Sequence, residues 1–132
     1  MVRVSKEIYE KLMNNSLDYK INKYHNKKTT YEGIKFDSIK EMNRYKELEL
    51  MEDTDYIIGL ELQKKFELQP SFIDNNGNKH RAITYIVDFY YYDTIEQCYI
   101  AEDVKGYKTQ IYQLKKKMFM YKYPNIKFKE VI

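Results

Sequence analysis

Apolar and polar positions change their rhythm along this chain, and the change marks out its elements. From Arg81 to Tyr92 the residues are mostly β-branched or aromatic, side chains that fit the pleated, half-buried surface of a sheet, and this run is a predicted strand. A second predicted strand, Gln97 to Lys105, follows after a short Asp93-Thr94 turn. Upstream, Ile57 to Leu62 and Lys65 to Leu68 are β-like, and Pro70 ends that segment. The cluster Asp74-Asn75-Asn76-Gly77-Asn78 has the composition of a hairpin turn. Gly33 to Phe36 is a further short strand, and Ile126 to Val131 alternates as a last one.

Helical spacing appears elsewhere. Ser5 to Met13 is predicted to be a short helix with Ser5 as N-cap and Ile8, Tyr9 and Leu12 on one side. Asp37 and Ser38 open a second helix running to about Met51, along which Ile39, Met42, Tyr45 and Leu48 recur at helical spacing. Thr109 to Tyr121 is a third, closed by Pro124, with Ile111, Leu114, Met118 and Tyr121 expected to form its buried face. Asn14 to Thr30 is polar and basic and is predicted to be a linker. The order αβαββββαβ points to the α/β (α+β) class, a central mixed sheet flanked by helices.

Composition narrows the picture. A chain of 132 residues, 43% apolar, is long enough for one core and too short for two. Charged residues are 33% of the chain, yet the net charge is only +3. Any nucleic-acid surface must therefore come from local clusters such as Lys20, Lys23, Lys27 and Lys28, or Lys105, Lys108, Lys115, Lys116 and Lys117. The single Cys98 excludes an internal disulfide, and no apolar run reaches the length of a membrane span. The expectation is a cytoplasmic protein with no membrane partner.

The candidate chemistry lies at strand ends. Asp88 sits inside Ile86-Val87-Asp88-Phe89-Tyr90, and Asp103-Val104-Lys105 closes the next strand. Hairpin pairing of the two strands brings Asp88 toward Asp103, while strand alternation puts Asp103 and Lys105 on one face. Two carboxylates offer a hard divalent cation oxygen ligands, and an ammonium beside them steadies an attacking water or the charge growing on a phosphate. Each charge alone also reads as an ordinary solvated strand end. Acidic-x-Lys occurs twice, and Asp18-Tyr19-Lys20 lies in the polar linker. Glu41 has two readings as well. Ser38-x-x-Glu41 is a capping box, yet helical spacing places Glu41 near the inward face with Tyr45 and Leu48. Lys115 to Lys117 read either as phosphate contacts or as the solvated side of their helix, and the tyrosines mostly as sheet and core residues. His25 and His80 are isolated, and no Gly-rich phosphate loop is present.

These residues carry a resemblance. Tyr31 to Glu41 (YEGIKFDSIKE), Phe66 to Pro70 (FELQP), Arg81 to Phe89 (RAITYIVDF) and Asp103-Val104-Lys105-Gly106 with its basic helix resemble a small phage-associated branch of the PD-(D/E)XK, or restriction-endonuclease-like, superfamily. The match covers residues 27–132, and residues 1–26 form a helical, basic extension outside it. The resemblance implies a restriction-endonuclease-like core and a nuclease that uses Mg²⁺ or Mn²⁺. Asp88 corresponds to the first acid of the motif, Asp103 to the second and Lys105 to its lysine, with the Val104 carbonyl as a further metal ligand. Residue 103 is Asp where Glu is commoner, and Val87 stands where the motif name has Pro. Glu41 matches the helix acid of many members, including archaeal-type Holliday-junction resolvases, and Gln69 resembles an auxiliary polar residue. Lys27, Lys28, Lys108, Lys115 and Lys116 would contact phosphates of double-stranded or branched DNA. With no spare domain to read a long target, structure-specific cutting is expected over restriction at a sequence. Symmetric cutting of two strands would require a homodimer. The rival expectation is a non-catalytic nucleic-acid-binding or phage accessory protein on the same fold.

Overall fold

The computed structural model describes residues 28–104 and 108–131. The chain divides into two compact units between Tyr56 and Ile57. The expected helix at Ser5 to Met13, the boundary at residue 26, Lys27 and Lys105 lie outside the described residues.

In the first unit a hairpin precedes a helix. Strands β1 (Thr29–Tyr31) and β2 (Ile34–Phe36) pair antiparallel, with Tyr31 opposite Ile34. Glu32 and Gly33 join them with φ values of 51° and 79°. Two successive left-handed residues make the tight turn that matches strand twist, and glycine at the second position carries no steric penalty there. The first two residues of β1 fall in the stretch expected to be linker: Thr29 and Thr30 are polar in sequence, but Thr29 is buried and its hydroxyl lies 3.7 Å from the Met42 sulfur. Helix α1 (Ile39–Asp53) starts where the sequence places it. Ser38 adopts extended backbone, and its hydroxyl accepts from the Glu41 amide at 3.0 Å, satisfying one of the helix's unpaired first-turn donors. The helix buries Met42 and Leu48 together with Glu41 and Lys46. The Lys46 ammonium sits 4.6 Å above the Tyr31 ring, so its charge rests on the ring's negative face. Burial lowers its pKa, with Glu49 opposing the shift.

The second unit is built on a four-stranded sheet. It contains β3 (Ile57–Gln69), β4 (Phe72–Ile73), β5 (Lys79–His80), β6 (Ile83–Asp93), β7 (Cys98–Val104), helix α2 (Gln110–Lys122) and β8 (Ile126–Val131). The sheet order is β3-β6-β7-β8; β3 and β7 flank β6 antiparallel, and β8 runs parallel to β7. A parallel neighbour cannot be reached through a tight turn, so α2 serves as the crossover between β7 and β8. The architecture is α+β with a central mixed sheet. The two β-like segments at residues 57–68 prove to be one strand. Gly59 (φ 70°) and Gln63 (φ 53°) adopt left-handed backbone within it, and the register shifts between Ile58 and Glu61. Such bulges bend a strand without ending it. The turn at Asp74 forms as its composition predicts, the Asp74 carboxylate accepting from the Asn76 and Asn78 amides at 2.9 Å each.

Side chains alternate along β6: Val87 and Phe89 are fully buried, Ile86 is exposed and Asp88 half-buried. Phe66, Leu68, Tyr85, Val87 and Ala101 pack with Tyr112 and Phe119 of α2. Phe119 is the hub, its ring centroid 5.0 Å from Phe66, 5.7 Å from Tyr85 and 6.1 Å from Phe128. Truncating so enclosed a ring to alanine costs about 3–5 kcal/mol. The expected inward stripe of α2 is corrected by this packing. Ile111, Leu114 and Tyr121 are 68%, 59% and 88% exposed, and only Met118 of that set packs against the core. Two apolar stripes run along this helix, and the one carrying the larger rings, Tyr112 and Phe119, fills the space above the sheet. No helix among the described residues is long and apolar enough to cross a membrane.

Candidate metal centre

Strands β6 and β7 pair continuously from Asp93↔Cys98 to Phe89↔Glu102. One step beyond the last pair stand Asp88 and Asp103, and there side chains take over from the ladder. The Asp88 amide donates to Asp103 Oδ1 at 3.2 Å, and the Val104 amide donates to Asp88 Oδ2 at 2.8 Å. Each aspartate thus accepts an amide hydrogen from the other strand. The exchange closes the end of the strand pair and fixes both carboxylates in one place. Sequence reasoning brought these two residues together, and the structure does so through a cross-strand bond on each side.

The neighbouring strands extend this arrangement into a row. On β3, Leu62 pairs with Phe89 and Lys64 with Val87, so Gln63 faces Asp88, and its amide nitrogen lies 3.3 Å from Asp88 Oδ1. On β8, Glu130 is the register partner of Asp103. Gln63, Asp88, Asp103 and Glu130 therefore cross the four strands side by side.

Burial differs along the row. Asp103 is fully buried, and its Oδ2 accepts a short hydrogen bond from the Tyr85 hydroxyl. Tyr85 is 5% exposed, and burial first, then the bond to Asp103, raises its pKa far above the usual phenol value, so the hydroxyl stays protonated and donates. Glu130 holds Lys108 at 2.6 Å, Lys116 at 3.2 Å and the Tyr112 hydroxyl at 2.5 Å. These partners, Lys108 foremost, pull its carboxyl down from 4.5 to about 2. Burial, followed by the bond to Glu130, pushes the Tyr112 phenol up, and the Tyr85 hydroxyl offsets part of that rise. A chain of polar groups thus runs from Asp88 through Asp103, Tyr85 and Tyr112 to Glu130. On the adjacent position of β7, Glu102 is also fully buried, and its carboxylate accepts from the Tyr91 hydroxyl.

The remaining expected residues are placed as follows. Glu41 lies in the first turn of α1, buried, in the first unit. Gln69 ends β3 opposite Ile83, five residues from Asp88 along β6, or about 17 Å of strand. Gln63 occupies the place beside Asp88 instead. Lys108 and Lys116, expected to face phosphate, hold the Glu130 carboxylate here. Lys115 is half-buried on α2, and Lys28 is exposed ahead of β1. Gln63, Glu130 and Tyr85 were not singled out from the sequence. The hydrophobic pattern locates strands but not their register, and register is what lines up these three with the aspartates.

The donor atoms suit the cation that the resemblance implies. Asp88, Asp103 and the Val104 carbonyl offer only oxygen, which favours Mg²⁺ or Mn²⁺ over a soft metal. Among the described residues no group of three or more His, Cys, Asp or Glu side chains forms a metal cluster. Two carboxylates with water and substrate phosphate completing the shell is the usual Mg²⁺ arrangement, so the residues fit.

The chain belongs to the DUF1064 family, described as a protein of unknown function, whose profile matches residues 21–132. No curated protein and no solved structure matches it.

Proposed function

We propose that this chain is a divalent-metal-dependent endodeoxyribonuclease with Asp88 and Asp103 at its centre. The observation that carries the reading is the pair itself: two carboxylates from adjacent strands, one step past the last ladder pair, each fixed by an amide of the other strand. Gathering two anions at one point costs Coulomb energy, which a bound cation offsets. The resemblance to PD-(D/E)XK nucleases assigns the same two residues from sequence alone.

In this reading Asp88, Asp103 and the Val104 carbonyl hold Mg²⁺ or Mn²⁺, which when bound polarises the phosphoryl oxygen and lowers the pKa of its water. Lys105 orients the attacking water and stabilises charge on the phosphate in the transition state. Glu41 is the further acid that the resemblance assigns. Lys28, Lys108, Lys115 and Lys116 position flanking phosphates without reading sequence, Lys108 and Lys116 by exchanging Glu130 for DNA. The substrate is branched or nicked DNA, cut according to its shape.

A second reading, a nucleic-acid-binding module without catalysis, is favoured by one observation. Both oxygens of the buried Asp103 already accept hydrogen bonds, as a purely structural acid would. Purified protein with Mg²⁺ or Mn²⁺ on linear, forked, flapped and four-way DNA separates the two. Cleavage by the wild type and none by Asp88→Asn supports the nuclease; DNA binding with no cleavage in either metal supports the module.

A further inference from the structure

We propose that Tyr85 is a positioning residue for Asp103, setting the direction in which that carboxylate meets the cation. The inference rests on the nuclease reading and adds a residue that neither the motif nor the family assigns. Three features carry it. Tyr85 lies three residues before Asp88 on the same strand, 5% exposed, so its place is fixed by the backbone that carries the first acid. Its ring is held from several sides, with centroids 5.7 Å from Phe119, 6.4 Å from Tyr112 and 6.4 Å from Phe128. Its hydroxyl reaches Asp103 Oδ2, while Oδ1 takes the Asp88 amide.

A carboxylate turns easily about its last torsion unless both oxygens are tied. Here one tie is main chain and fixed; the other is a phenol whose ring cannot swing. Together they set the lone-pair directions of Asp103 and keep them constant as the cation comes and goes. Groups that hold a metal's ligands in this way typically change affinity or activity by roughly 10–100-fold when removed.

The experiment compares wild type, Tyr85→Phe and Tyr91→Phe for Mn²⁺ binding by calorimetry and for cleavage across a Mn²⁺ series. Tyr91→Phe removes a buried hydroxyl from the same strand, but one that bonds Glu102. The proposal expects Tyr85→Phe to weaken Mn²⁺ binding about 10–100-fold, with the rate largely recovered at saturating Mn²⁺, and Tyr91→Phe to bind Mn²⁺ as wild type does. Loss of stability alone would lower the active fraction without moving the Mn²⁺ half-saturation of the folded protein. Unchanged Mn²⁺ affinity in a folded Tyr85→Phe, or an equal loss in both variants, overturns the proposal and leaves the nuclease reading standing. A wild type that binds no Mn²⁺ overturns both. If Tyr85→Phe does not fold, 3-fluorotyrosine placed at position 85 alone keeps ring and hydroxyl and gives one fluorine signal. That signal should shift with the Mg²⁺ half-saturation of cleavage, and a signal unmoved at saturating Mg²⁺ refutes the positioning role.

Discussion

Asp103 and Glu130 are register partners on β7 and β8, and each accepts a hydrogen bond from a tyrosine hydroxyl, yet the structure treats them differently. Glu130 carries two lysine ammoniums, and its carboxyl is drawn down to about 2. Asp103 is tied to the Asp88 amide and the Tyr85 hydroxyl, and it stands against a second aspartate. Ammonium donors cancel a carboxylate's charge as well as aim it, whereas amides and hydroxyls chiefly aim it. Burial by itself does not set Asp103 apart, because fully buried Glu102 has a tyrosine partner too. What separates Asp103 is convergence, since a second strand delivers its own acid to the same point.

Neutralising the acids in turn puts this contrast to its hardest test. Asp88→Asn should abolish cleavage and Mn²⁺ binding while the fold survives, because asparagine can still offer its oxygen to the Val104 amide. Asp103→Asn should abolish cleavage as well, but with a stability loss of about 1–3 kcal/mol, since its new NH₂ must face either the Asp88 amide or the Tyr85 hydroxyl. Cleavage assays beside urea melts check both, and near wild-type cutting by either variant with metal present removes it from the centre.

Lys105→Ala comes next in size. The rate should fall by orders of magnitude with Mn²⁺ affinity retained, because the ammonium acts in the transition state. Equal losses of DNA binding and turnover would make Lys105 an ordinary phosphate contact.

Glu41→Gln puts the same question to the first unit. The cap at Ser38 uses the residue 41 amide, which the substitution keeps, so the helix should start as before. The metal assignment expects cleavage lost at an unchanged melting temperature; full activity would leave Glu41 with a structural role alone.

Glu130→Gln has the smallest expected effect and tests the other side of the contrast. Glu130 has a depressed pKa, so its contribution to stability is present above the ordinary value of 4.5 and is lost as pH falls toward about 2. Wild type should therefore lose stability through that window, and Glu130→Gln should lose less there while being less stable near neutrality. If Lys108 and Lys116 also serve phosphate, freeing them should steepen the salt dependence of DNA binding by up to about 0.9 for each phosphate newly neutralised. An unchanged slope, measured in Ca²⁺ to block cleavage, would restrict both lysines to Glu130.

Local signals were enough for much of this protein. Ser38 opens its helix where the sequence places it, Asp74 builds its turn, and the strands carrying Asp88 and Asp103 form where they are predicted, with Asp88 inside β6 and not at its end. These features depend on residues a few positions apart, so the sequence determines them alone. The pairing of Asp88 with Asp103 was legible for a related reason, because a short turn leaves few registers for a hairpin. Packing and long-range register were decided elsewhere. Helix α2 has two apolar stripes, and only the depth of the space above the sheet selects Tyr112 and Phe119 over Ile111 and Leu114. Strand β3 shifts its register between Ile58 and Glu61 and again between Glu67 and Gln69, and it holds Gln63 in left-handed backbone; these long-range details bear on which glutamine reaches Asp88. Glu130 meets Asp103 only because a crossover helix lays β8 parallel to β7 at one register out of several. Turn chemistry and periodicity act over a few residues, whereas the row Gln63, Asp88, Asp103 and Glu130 joins positions up to 67 apart, and only the folded sheet puts them side by side.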